Sequence, residues 1–136
     1  MAIMAGRNVF GDEMELCGVD PVTGFYRDAQ CSSGYRDLGG HTVCAITTPE
    51  FLGHQLAAGN DLVTPVPAMA FPGLTPGDAW CVVAHRWRQA YEDGCAPPVR
   101  LRATNALALQ VIPREWLLEH AVDAPDDLTP LLGPAD

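Results

Sequence analysis

Between residues 24 and 46 the chain reads GFYRDAQCSSGYRDLGGHTVCAI, and this stretch holds most of its chemically versatile groups. Cys31 stands among polar residues and glycines, close to Arg27 and Asp28. In such surroundings a thiolate is stabilised by the guanidinium and open to reaction. His41, ten residues on, is near enough through a loop to serve as its base. Tyr26 and Arg27 add a phenol and a planar fork that binds carboxylate or phosphate at two points. Asp28 and Asp61 add carboxylates, which act as general acids or bases where burial raises their pKa. The same residues also have a structural use. Aspartates cap turns, an arginine pairs with a nearby acid, and a loop thiol fills space beneath the backbone.

A metal is the second chemistry these types allow. His41, Cys44, Cys81 and His85 form an H-x-x-C and a C-x-x-x-H pair, the residue types zinc prefers. In a strand, residues three apart point to opposite faces, so His41 and Cys44 share an ion only if the strand is bulged. Cys31 can replace Cys44, giving Cys31, His41, Cys81 and His85 as the alternative zinc set. No cofactor is otherwise expected. Five cysteines, an odd number at wide spacing with no C-x-x-C, do not spell a disulfide scaffold. The opening residues MAIMAGRNVF lack a signal-peptide pattern, so the expected compartment is the cytoplasm, where thiols stay reduced. Cys17, Cys44 and Cys95 then read as small buried hydrophobes, Cys44 above all.

Composition narrows the partners. The net charge is −9, and all eight basic residues are arginine. Four acids, Asp123, Asp126, Asp127 and Asp136, crowd the C-terminal end. Without a basic stripe the chain does not suit nucleic acid, whose phosphates supply most binding energy. No apolar run approaches a membrane span. A small-molecule ligand and a homodimer fit better.

These groups need a frame, and 136 residues make one domain. HTVCAIT (41–47) and AWCVVA (79–84) read as buried strands, and PVRLRAT (98–104) alternates like a strand wet on one side. Thr48-Pro49-Glu50 begins a helix carrying Phe51, Leu52, Gln55 and Leu56, and Gly59 ends it. HRWRQAYEDG, a short helix capped by Thr104, and PREWLLEHA supply three more. His54 reads as a surface residue and His120 as a helix-end residue facing the dipole. Residues 8–40 and 60–78 are long loops, and Trp80 beside the second can wall a pocket. The expected fold is α+β: a small two-layer domain at 8–121, a short sheet with helices on one face, and long ordered loops. A disordered start (1–7) and an acidic, proline-rich tail (122–136) flank it.

Motifs in order along the chain, NVFG, C-x-x-DPVTGFYRD, HTVCA, GNDLVTP-x-P, FPGL-x-PGD-x-WC, RW-x-x-A and APPV-x-L-x-AT-x-x-AL, resemble the family catalogued as domain of unknown function 2237. The resemblance implies a two-layer α+β architecture and brings no activity. It departs at Ala29-Gln30-Cys31, where the family tends to read Gly-Cys-Cys, and at Val83, where it often has a further cysteine. The leading functional expectation is an enzyme acting on a small polar or anionic molecule in a pocket between the 20–41 and 60–78 loops. Cys31, His41, Asp28 and Asp61 would act, and Tyr26, Arg27 and Trp80 would bind. The alternatives are a non-catalytic binding or adaptor protein with a structural zinc, and a thiol redox sensor.

Overall fold

A computed structural model describes residues 7–19, 22–23, 28–32, 40–69 and 71–124. Two strands, β1 (His41–Ile46) and β2 (Ala79–Val83), pair antiparallel. Both are β-branched, apolar runs, and their inner residues are buried. The helix α1 (Pro49–Ala57) starts where Thr48 accepts the Phe51 N–H at 3.1 Å and Pro49 sets the first turn. It buries Phe51, Leu52 and Gln55. The helix α2 (Ala84–Glu92) follows β2 without a break and buries Ala84, Trp87 and Ala90. A short helix, α3 (Arg114–Glu119), buries Leu117.

The sheet separates two layers of different composition. Val43, Ala45, Trp80 and Val82 belong to the main core, with Phe51, Leu52, Trp87, Val99, Leu101, Ile112 and Leu117. Cys44 and Cys81 alternate with them and belong to a second cluster, completed by Cys17, Cys31 and Ala103. Helices therefore cover one face. The other is covered by an N-terminal strap, residues 7–19, 22–23 and 28–32, that contains no helix or extended ladder. This is a small α+β fold with long loops.

Several expectations are corrected here. Residues 98–103 form no third strand. Val99 alone bridges Ala45 and Ala121, and the chain then turns through a 3-10 segment, Leu101–Ala103. Both carboxylate oxygens of Asp123 accept there, from Leu101 N–H at 2.7 Å and Arg102 N–H at 2.9 Å. Asp123 thus anchors the body instead of opening a loose tail. Arg7, expected in the N-terminal tail, bridges Glu13. Asn105, not Thr104, caps the next 3-10 segment (Ala106–Gln110), accepting the Leu107 N–H at 2.9 Å. His120 stands at the C-terminal end of α3 as expected, and there it also sits edge-on to the Trp87 and Tyr91 rings, with centroids 5.7 Å away. Residues 1–6 and 125–136 lie outside the described residues.

Candidate functional site

The cysteines are where the structure departs furthest from expectation. Cys17 is bonded to Cys44 and Cys31 to Cys81, with Cα atoms 5.7 and 5.3 Å apart. Cys44 and Cys81 are directly opposed in the β1–β2 register. Their N–H groups point outward, to Thr104 Oγ1 at 3.2 Å and Thr23 Oγ1 at 2.7 Å. They are therefore a non-hydrogen-bonded pair, the kind whose side chains approach most closely. The two disulfides consequently lie side by side. The sulfurs of Cys17, Cys31 and Cys81 all fall within 4.8 Å of one another, and all three residues are buried.

The strap carries Cys17 and Cys31 to this spot by closing on itself. Cys17 N–H donates to Ala29 O at 2.7 Å, Ala29 N–H to Thr23 O at 3.0 Å, and Thr23 N–H to Gly18 O at 3.1 Å. Ala29 adopts φ 66°, a left-handed conformation that favours glycine, at the position where the family resemblance expects glycine. Gly18 lies so near β2 that a Cβ would come within 2.8 Å of Ala79 O. Two buried asparagines fasten the rest. Asn8 donates to Glu13 O at 3.2 Å and Arg102 O at 3.1 Å, and its oxygen accepts from Phe10 N–H at 2.9 Å and Asp12 N–H at 3.0 Å. Asn105 donates to Cys31 O at 3.1 Å. The Arg100 guanidinium donates to Leu16 O at 3.0 Å and Cys17 O at 3.4 Å.

An exposed, reactive Cys31 is not what this geometry provides, for Cys31 is fully buried and bonded. Cys17 and Cys44 are disulfide partners, not isolated hydrophobes. Cys95 keeps a free thiol, half-buried, 3.6 Å from Asp93 O. The mixed zinc set does not assemble as expected either. The β1 register does shift between His41 and Val43, aligning His41 with Val83 and so with the face of Cys81. Yet His85 is exposed in the first turn of α2, and Cys31 and Cys81 are joined to each other.

Beside the cluster is a small open hollow of about 40 Å³, lined by His41, Asn60, Leu62, Trp80, Cys81, Val82 and Val83. The Trp80 ring packs against Phe71 at 5.1 Å. Asp61 does not enter as a buried base. It is exposed, and the Thr64 hydroxyl with the Thr64 and Val63 N–H groups holds its carboxyl below the usual range. Asp28 is likewise an exposed cap, accepting from Gln30 N–H at 3.1 Å and the Ser32 hydroxyl at 3.0 Å. Tyr26 and Arg27 lie outside the described residues.

A polar chain reaches the hollow from behind. Asp93 Oδ2 is 2.7 Å from His54 Nε2, His54 Nδ1 is 3.0 Å from Gln55 Nε2, and Gln55 Oε1 accepts from Asn60 at 2.8 Å. His54 is therefore tucked in, not solvated, and Gln55 is fully buried. Because Asp93 is 39 residues from His54, no local spacing announces this chain.

A family model described as an uncharacterized protein conserved in bacteria matches residues 7–121. A comparison with curated proteins finds no match. The matched span begins at the strap and ends at Ala121, so it takes in all four bonded cysteines.

Proposed function

Because the chain belongs to the DUF2237 family, whose description names no activity, we propose from its own chemistry that it is a thiol–disulfide switch. In the oxidised form the two bonds pin the strap across the cysteine face of the sheet. Reduction by small thiols leaves hydrogen bonds and the packing of Val9, Phe10 and Met14 to hold the strap, and the face beneath it opens to a binding partner. One observation carries this: both bonds join the same strap to opposed positions of one strand pair, with sulfurs of different bonds within 4.8 Å. Two purely structural staples have no need to touch. Sulfurs at this spacing can exchange partners by thiolate attack with little chain movement, once one bond is opened. Disulfides persist in oxidising compartments, so the two bonds stand against the expectation of a cytoplasm with reduced thiols unless the poise there opens them.

Burial sets its kinetics. With every bonded cysteine nearly excluded from solvent, attack waits on local opening, so the response is slow and follows the poise. The test is equilibration of the native chain in glutathione buffers of graded potential, with thiols counted by mass and strap cleavage followed by limited proteolysis. We expect four thiols to appear below the unfolding range, together with faster cleavage within residues 7–32. Reduction that occurs only in denaturant would make the bonds staples and end the proposal.

The hollow supports a second function, binding of a small polar or anionic molecule with His41 as acid or base beside Trp80. A ligand raising the melting temperature of the native chain but not of His41→Ala is the expected result. Equal shifts in both remove the hollow from consideration.

A further inference from the structure

We infer that the reduced cluster is a zinc site formed by Cys17, Cys31, Cys44 and Cys81. It rests on the switch only for the reduced state it starts from. Zinc in a structural site takes four ligands tetrahedrally at about 2.3 Å, which places sulfurs about 3.8 Å apart. Cys31 and Cys81 are bonded to each other, and the sulfur of Cys17, from the other bond, lies within 4.8 Å of both. The fourth, on Cys44, is bonded to Cys17 and stands across the sheet from Cys81. Breaking both bonds lets the sulfurs of each pair separate by side-chain rotation towards that spacing.

The chemistry is balanced in two steps. Four equivalents of a small thiol reduce the two disulfides, giving four protein thiols and two small-molecule disulfides. One zinc ion then replaces four protons, leaving a tetrathiolate of net charge minus two. A buried dianion needs compensation. Arg100, whose guanidinium lies on the Leu16 and Cys17 carbonyls and is shared with Glu15 at 3.4 Å, offsets only part of it. All-thiolate ligation selects a soft or borderline ion over calcium or magnesium. The tight grouping, packed round by Ala103, Met14 and Ala79, suits a single ion.

The site differs from the mixed set the sequence suggested: it uses neither His41 nor His85. Its consequence is a second clamped state. Zinc re-ties the strap that reduction releases, so the free strap belongs to the reduced, metal-starved protein.

The full chain, reduced by a phosphine without air, is titrated with zinc chloride and separately with cobalt(II). One equivalent of zinc should bind, and the cobalt form should show intense sulfur-to-metal charge transfer with tetrahedral d–d bands. Alkylation supplies a readout that needs no variant. Without zinc five cysteines react; with zinc Cys95 alone reacts quickly and the other four slow by at least about tenfold. Cys44→Ser should remove about a quarter of the charge-transfer intensity, one thiolate of four. His41→Ala and His85→Ala should change neither readout. Substoichiometric zinc with all five thiols reacting at full rate overturns the site, as does loss of binding in the histidine variants. A chain that reduces only when unfolded, yet refolds around zinc, keeps the metal site and loses the switch. One that reduces readily and ignores zinc does the reverse.

Discussion

Reducing both disulfides of the metal-free protein should lower its melting temperature by on the order of 15 °C. The sequence separations are 27 and 50 residues. In the chain-entropy account, bonds closing loops of that size contribute about 3.6 and 4 kcal/mol. The loops interlace in the order 17, 31, 44, 81. The second bond therefore restricts a chain already restricted by the first, and a total of about 5 kcal/mol is expected. For a domain of this size each kcal/mol moves the midpoint by about 3 °C. The sign has a second signature. If the strap stays docked after reduction, the larger unfolded chain should steepen the denaturant dependence; a strap already free in the folded state should lower it. Calorimetry and urea titration of oxidised and phosphine-reduced protein at one pH check both. A fall of only a few degrees would mean that the unfolded chain is compact without the bonds, and that they do little to hold the strap.

Much of the frame was legible because it rests on local rules. Thr48-Pro49-Glu50 announces α1 through its cap and fixed φ, and the β-branched runs around Val43 and Val82 announce the strands. The 98–103 segment shows the limit of such rules. Val99, Leu101 and Ala103 are buried as alternation demands, but alternation reports burial, not a hydrogen-bond partner. Asp123, 22 residues from Leu101, supplies that partner and bends the chain into a turn. The cysteines were misread for a different reason. Spacing is silent on which thiols meet, and inferring the redox state from compartment overlooked a strap that folds back on a strand pair. The motif NVFG was a signal without a mechanism. Its asparagine uses both amide hydrogens and its oxygen to shape the strap, a job no spacing rule assigns to a residue eight positions from the start.

That asparagine also provides the sharpest probe of the strap. In the oxidised protein Asn8→Ala should cost about 3 kcal/mol, since it abolishes four hydrogen bonds to nearly buried backbone groups and each is worth about 1 kcal/mol net, less what water restores. Asn8→Asp keeps the two bonds accepted from Phe10 and Asp12 but sets a buried carboxylate oxygen against the Glu13 and Arg102 carbonyls, and should cost at least as much. The informative comparison is the same substitution after reduction without metal. If reduction frees the strap from the body, the contact of Asn8 with Arg102 is already lost in the folded state and the turn it shapes through Phe10, Asp12 and Glu13 stands in solvent, so the substitution costs less than about 1 kcal/mol. The coupling between oxidation and Asn8 is then about 2 kcal/mol, read directly from a four-sided cycle of urea unfolding curves. If the strap stays docked through its hydrogen bonds, the cost remains near 3 kcal/mol and the coupling vanishes, whatever the melting temperature does. Zinc added to the reduced pair should bring the full cost back, because an ion shared by Cys17, Cys31, Cys44 and Cys81 holds the strap where Asn8 can act again. A coupling that is absent in every state would leave the two bonds as ordinary staples on a face that never opens.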